Sequence, residues 1–270
     1  APAVRDKMDE ARVKPSGICT IPDLEKIPIT HKDDFPTLHE KYGTFSGFLA
    51  VPPNTLKGRV YVSPGPIYDP HLHSEEIELG AVRAFWAGGF RPGDVVIDSF
   101  AYYWTPAGPV WDECLRKLGA VVIAAGVGNS EQQVRVMHEL GVTGYVGTPS
   151  FLWRLITKAE ELGYDFHKDF RLRVASFTGE QYPSDLRQKF ERDYGIKTQN
   201  QYCVADAGFV AYECKYASGM HVGEELIVEI VDPKTGEQLE RGEVGEVVVT
   251  LINKTYPLVR FAEGDLSAYS

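Results

Sequence analysis

The sequence predicts an α/β fold: a parallel sheet with helices on both faces, followed by a β-rich antiparallel extension. Three observations carry that prediction. From residue 74 to residue 203 short apolar runs alternate with amphipathic stretches, strand then helix, four times over. Past Cys203 the period changes, and "EELIVEIV" and "GEVVVTLI" flank the turn-rich "DPKTGEQLERGEV". With 270 residues, 43% hydrophobic and 24% charged, the chain is long enough and apolar enough to bury a substantial core.

The first 60 residues are punctuated by proline, and "IPDLEKIPITHKDD" reads as short helices separated by loops. Val62–Pro70, "VSPGPIYDP", has the outline of a phosphate-cradling loop, yet it offers one serine, no lysine, and an aspartate where a positive charge would serve. Ser74 followed by two glutamates opens a helix whose buried stripe is Ile77, Ala81 and Phe85. Asp94–Phe100 is a short apolar run, hence a buried strand. Val110, Cys114 and Leu118 form a helical face that Gly119 closes, and Ala120–Ala125 is the next strand. Ser130 and Gln133 match a capping box for a helix that ends at Gly141. Strands over 143–148, 171–178 and 196–203 follow, with helices through Trp153 and over Ser184–Tyr194 between them. The expected organisation is a helical and loop segment over 1–60, an α/β core over 61–205 and a β-rich part over 206–270.

In an open parallel sheet, ligands bind beyond the carboxyl ends of the strands. Those ends carry "AYYW", "GVGN", "GTPS", "TGEQY" and "YCVADAG", rich in glycine, aromatics and short polar side chains. Glu180 and Asp206 are the two acids among them. The net charge of −10 argues against nucleic acid or an anionic membrane as the main partner, and no apolar run approaches 20 residues. Four widely spaced cysteines fit a reducing, cytoplasmic compartment better than a disulfide framework. His71 and His73 read as solvated flanking residues, and no Ser-His-Asp set or cysteine nucleophile emerges from the spacing.

Taken in order, "PDLEKIPITHKDD", "RPGDVV", "AAGVGNSEQQ", "TPSFL", "LRQKFERDYGIK", "VDPKTGEQLERGEVGEVVVT" and "PLVRFAEGDLS" make the chain resemble the phenylacetate–CoA ligase family of AMP-forming acyl-CoA synthetases. The resemblance implies that a carboxylic acid, aromatic in this branch, reacts with ATP and magnesium to give an acyl-adenylate, which CoA then converts to a thioester. It implies that Gly179 and Glu180 lie beside the adenine and that Tyr202 packs near the base and α-phosphate. Asp206 stands for a magnesium-holding glutamate, Asp265 for the ribose-binding aspartate, and Arg260 for the arginine just before it. Tyr102, Thr148 and Pro149 fall at the acid pocket; so does Phe100, which reads better as plain core. Ser63 and Gly65 belong to the phosphate loop, where Asp69 takes the place of the family's lysine and prolines 64 and 66 remove two N–H donors. Cys214 and His221 match half of a zinc site found in some members, its other two cysteines lying beyond the family's Gly-Asp hinge. The chain stops five residues after Asp265, so the C-terminal lid domain with its catalytic lysine is expected to be missing by truncation. A homodimer is implied by likeness alone. The altered loop leaves a rival expectation: a paralogue that binds an aromatic acid, AMP or acyl-CoA without ATP-dependent activation.

Overall fold

The computed structural model describes residues 1–63, 67–72 and 75–270, with the side chains of 71–72 and 75–79 left undescribed. Along the chain the elements are α1 (Pro2–Glu10), β1 (Thr30–His31), α2 (Phe35–Tyr42), β2 (Gly58–Ser63), β3 (Ile67–Leu72), α3 (Glu75–Gly88) and β4 (Val95–Asp98). They continue with α4 (Ala107–Leu118), β5 (Val121–Ala124), α5 (Ser130–Glu139), β6 (Gly144–Gly147), α6 (Pro149–Glu161), α7 (Phe166–Asp169), β7 (Val174–Phe177) and α8 (Ser184–Gln188). The last are β8 (Lys197–Val204), β9 (Gly208–Glu213), β10 (Met220–Val222), β11 (Leu226–Val231), β12 (Gly245–Leu251) and β13 (Leu258–Ser267).

The chain forms two compact units. Unit 1 gathers residues 1–73, 204–210 and 224–270, and unit 2 gathers 74–203 and 211–223. The division therefore does not follow the sequence's three segments, because the N-terminal stretch and the β-rich tail share one unit.

Unit 2 contains most of a seven-stranded sheet ordered β10-β9-β8-β7-β6-β4-β5, in which β5, β4, β6, β7 and β8 run parallel. One face is packed by α5 and α6: Val134, Met137, Leu152 and Ile156 meet Ile97, Tyr145, Ala175 and Phe177, all essentially buried. The opposite face holds α3 and α4, where Phe85 and Trp111 meet edge to face at 5.8 Å. On that side Gln199 donates to the Ala84 carbonyl at 2.8 Å. Gly119 ends α4 in the left-handed region (φ 96°), a conformation without penalty only for glycine. Two local expectations give way to tertiary contacts. The N-cap of α5 is Asn129, and Gln133 donates instead to the carbonyls of Gly126 and Gly128 at 2.9 and 2.8 Å. The helix expected over Ser184–Tyr194 is α-helical only to Gln188 and widens to π geometry over Lys189–Asp193.

Unit 1 contains a four-stranded sheet ordered β1-β13-β12-β11, antiparallel except for the β1–β13 pair, and the β2–β3 hairpin. Arg260 on β13 is its central clamp. The side chain is 2% exposed; it ion-pairs with Glu229 (3.3 Å) and donates to the carbonyls of Ile27 (2.9 Å) and Gly236 (2.7 Å). The parallel pairing matches Thr30 with Phe261 and His31 with Ala262, which carries Lys32 alongside Glu263. Among the described residues no helix is long and apolar enough to cross a membrane.

Candidate functional site

In unit 2 the strand order changes direction at β4, which lies between β5 and β6. The carboxyl ends of β4 and β6 are thus the place where this topology opens a crevice. At the end of β4, Asp98 is fully buried; it accepts from the Phe100 N–H at 2.9 Å and from the Tyr102 hydroxyl at 3.1 Å. Burial is the main reason its carboxyl is pushed far above the usual range, against the pull of those two donors. The Tyr102 hydroxyl, half-buried and also within 3.3 Å of Asp112, is pushed upward by burial and then by the two carboxylates. At the end of β6, Thr148 caps α6 by accepting from the Phe151 N–H at 3.4 Å, and Pro149 fills the first turn, where no N–H is needed. The Tyr145 hydroxyl donates to the Thr148 carbonyl at 3.0 Å and holds that turn from below.

After β7, Gly179 takes φ +86°, a backbone that favours glycine. Next to it, Glu180 accepts from the Ser150 N–H at 2.6 Å and from the Ser150 hydroxyl at 2.9 Å. That pair ties the β7–α8 loop to the N-terminus of α6. Gly179, Glu180, Thr148 and Pro149 therefore form one local cluster, while Tyr102 stands at the neighbouring strand end. Phe100 is 9% exposed and Tyr202 is half-buried on β8.

In unit 1 the predicted phosphate loop is shorter than expected. Ile67, Tyr68 and Asp69 belong to β3, paired with β2 so that Ser63 faces Ile67 and Tyr61 faces Asp69. Gly65 lies outside the described residues, as does Ser74. Pro70 is tolerated because a two-stranded hairpin leaves one edge of each strand unpaired. Asp69 is 5% exposed and accepts from the Ser63 hydroxyl at 2.9 Å. Its carboxyl is held well above the usual range, first by burial and then by contact with Asp206, with Ser63 and Lys32 opposing. Asp206, in the turn between β8 and β9, has a side chain with no exposure; the Lys32 ammonium is 3.0 Å from its Oδ2. Lys32 also pairs with Glu263, whose carboxyl is raised by burial despite that partner. The Tyr256 hydroxyl is buried without a hydrogen-bond partner, and burial followed by the fields of Asp69 and Asp206 pushes it upward. Asp265 is exposed on β13, five positions beyond the buried Arg260.

Cys214 follows β9, and His221 on β10 sits opposite Tyr212 with ring centroids 5.6 Å apart. Among the described residues no group of three or more His, Cys, Asp or Glu is arranged to hold a metal. Asp98, Lys32 and Tyr256 are residues that sequence reasoning passed over. An acid ending an apolar strand run was the available signal for Asp98; Lys32 lay inside a stretch read as short helices separated by loops.

A family model described as "AMP-binding enzyme" matches residues 79–252. The chain belongs to this family. Curated relatives include phenylacetate-coenzyme A ligases of Pseudomonas putida (31% identity), Thermus thermophilus (29%) and Escherichia coli (30%), each alignment covering 98% of this chain. The chain spans only 61–62% of those relatives' length. Among solved structures, an open form of 2-hydroxyisobutyryl-CoA ligase with 2-HIB-AMP and CoA superposes with a TM-score of 0.91 at 23% identity, covering 99% of this chain and 65% of that one. A benzoate CoA ligase from Burkholderia xenovorans LB400 gives 0.56 at 16% identity over 74% of this chain and 42% of that one. Likeness at such identities speaks to the fold, and it is the fold of adenylate-forming CoA ligases.

Proposed function

We propose that this chain is the large part of an AMP-forming ligase that activates a carboxylic acid, phenylacetate-like in its chemistry, and passes it to CoA. The observation that carries the reading is collinearity: relatives named phenylacetate-coenzyme A ligase match 98% of the chain. In the first step a carboxylate oxygen bonds to the α-phosphorus of ATP and pyrophosphate leaves. In the second the CoA thiolate bonds to the acyl carbon and AMP leaves.

In unit 2, Gly179 and Glu180 would receive the adenine, with the Ser150 bonds keeping Glu180 fixed before the nucleotide arrives. Tyr202 would pack near the base. Tyr102, Thr148 and Pro149 would line the acid's place, and the buried Asp98, accepting from the Tyr102 hydroxyl, would keep that ring oriented. In unit 1, Asp265 would take the ribose hydroxyls and Ser63 with Gly65 the phosphates. Arg260 would act as a positioning residue, since its donors are turned to Glu229 and to backbone carbonyls. Asp206 fits magnesium: a buried carboxylate neither of whose oxygens accepts a well-aimed hydrogen bond is a ready hard-cation ligand. Magnesium would supply charge neutralisation on the polyphosphate. Cys214 and His221 supply at most two zinc ligands, short of the four a structural site uses. We place the protein in the cytoplasm, with a second copy as its expected partner.

A second reading is favoured by Asp69. An aspartate where a cation should grip the triphosphate suits a protein that binds AMP, an aromatic acid or acyl-CoA without using ATP. Calorimetry with Mg-ATP and with AMP, alongside a pyrophosphate-release assay over a panel of aromatic acids, separates the two. Binding of both nucleotides, acid-dependent pyrophosphate, and tighter ATP binding in Asp69→Lys support the ligase; AMP binding with no ATP binding supports the second reading.

A further inference from the structure

Arg187, on α8, touches both of the segments expected to enclose the nucleotide, and all of them lie within unit 2. Its guanidinium carbon lies 4.5 Å over the Tyr182 ring, and Tyr182 shares the β7–α8 loop with Gly179 and Glu180. The same ring meets Phe177, the last residue of β7, edge to face at 4.7 Å. Arg187 Nη2 meanwhile donates to both oxygens of Glu213, at 2.8 Å each, a charge-assisted contact. Glu213 is buried on β9 and accepts from the Asn200 N–H at 2.8 Å, two residues before Tyr202 on β8. A second route runs through Glu191, 3.6 Å from Arg187 Nη1, which accepts from the Thr198 hydroxyl on β8. Glu191 lies where the helix widens to π geometry, a deformation that recurs at functional sites.

We propose that Arg187 is a positioning residue for the nucleotide, fixing the spacing between the Gly179–Tyr182 loop and the β8 strand that carries Tyr202. Its role toward AMP rests on the reading that places the nucleotide between these segments; the mechanical link between them does not. The loop is tied at one point to α6, through Glu180 and Ser150. Arg187 ties it at another to β8 and β9. With both walls held before the nucleotide arrives, little conformational freedom remains to be lost on binding. The residue type follows from the geometry. A planar guanidinium can lie flat on a tyrosine ring while its edge meets a carboxylate, whereas an ammonium is a point charge that can answer Glu213 without forming the stack. Glu213 is the matching partner: one carboxylate receives the cation and a backbone N–H of β8 together.

Hydrogen exchange of the unliganded protein, read by mass spectrometry, tests the link, and calorimetry with AMP and with phenylacetate tests its use. Arg187→Met should speed exchange in peptides covering both 178–183 and 200–204. It should also weaken AMP binding about 2- to 30-fold, the size of coupling carried through packed side chains, and leave phenylacetate binding unchanged. Arg187→Lys should recover part of the AMP affinity. Glu213→Gln should act in the same direction, and the double variant should lose less than the two single losses combined, because they share one contact. Arg192→Met, an exposed neighbour on the same segment, should match the wild type. If Arg187→Met folds poorly by circular dichroism, Tyr182→Leu removes the ring contact without stranding a buried charge. Unchanged exchange in either segment overturns the proposal, and with AMP still bound by the wild type it leaves the nucleotide reading standing. AMP and phenylacetate affinities that fall together overturn it as well, since a general loosening would do the same. Linked exchange in a protein that binds no AMP removes the nucleotide reading, and the role toward AMP with it.

Discussion

Replacing Arg260 by methionine should destabilise unit 1 by about 3–5 kcal/mol, the range for breaking a buried ion pair by removing one partner. The geometry sets that size. Arg260 and Glu229 are 2% and 1% exposed, so neither charge has water to fall back on. Without the guanidinium, Glu229 keeps only the Gln238 amide, which donates at 3.0 Å. The Ile27 and Gly236 carbonyls, now bonded at 2.9 and 2.7 Å, also lose their donor. Uptake of a proton by Glu229, whose carboxyl burial already raises, limits the cost. Arg260 also sits at φ +49°, a strain of about 1 kcal/mol that the native contacts must exceed. The assay is urea unfolding followed by far-UV circular dichroism. All four tryptophans, Trp86, Trp104, Trp111 and Trp153, belong to unit 2, so their fluorescence reports that unit separately. A cycle with Glu229→Gln should return a coupling of about 1–3 kcal/mol. A loss under about 1 kcal/mol, or no coupling, would refute the claim that this pair organises unit 1.

Lys7 gives a pH prediction. Burial, with Arg260's positive field adding, depresses its ammonium to about 7 from 10.5. The unfolded chain therefore holds a proton that the folded one has released between those values, and stability rises with pH there by up to about 1.4 kcal/mol per unit. Lys7→Met should flatten the difference curve between pH 7.5 and 9.5; identical slopes would count against a neutral Lys7. Tyr102→Phe removes one of the two donors to the buried Asp98 and should cost about 1–3 kcal/mol in thermal unfolding, with weaker acid binding by calorimetry. Gly179→Ala must hold φ +86° with a Cβ, so a loss of about 1–2 kcal/mol is expected, together with weaker AMP binding; an unchanged affinity would detach this turn from the nucleotide.

Parallel strands were legible because each is an apolar run with its own flanking helix, and the candidate segments followed from where such strands end. The carboxyl cluster was not. Its members, at positions 32, 69, 206 and 263, come from four distant segments; the β1–β13 register aligns 32 with 263 and the β2–β3 hairpin places 69, while 206 arrives on the separate turn between β8 and β9. Gln133 shows the same limit in miniature: its spacing from Ser130 signals a cap, yet the amide is drawn to the Gly126 and Gly128 carbonyls instead. Arg260 read as a site residue because family spacing records position in the chain and not the direction of a side chain.

The pairing of Thr30 with Phe261 also fixes an order of events during synthesis. Residues 1–73 are made first, but the strand that completes their sheet begins at Leu258. At about 5–20 residues per second, the ribosome leaves that early segment without its main partner for on the order of 10–40 s. Unit 2, nearly continuous in sequence and rich in local β-α contacts, has its material much sooner. The nascent chain thus carries an incomplete N-terminal portion while its middle is already able to fold. In this interval Phe35, Phe48 and Ile27, destined to be almost fully buried, are the apolar groups a chaperone would meet first.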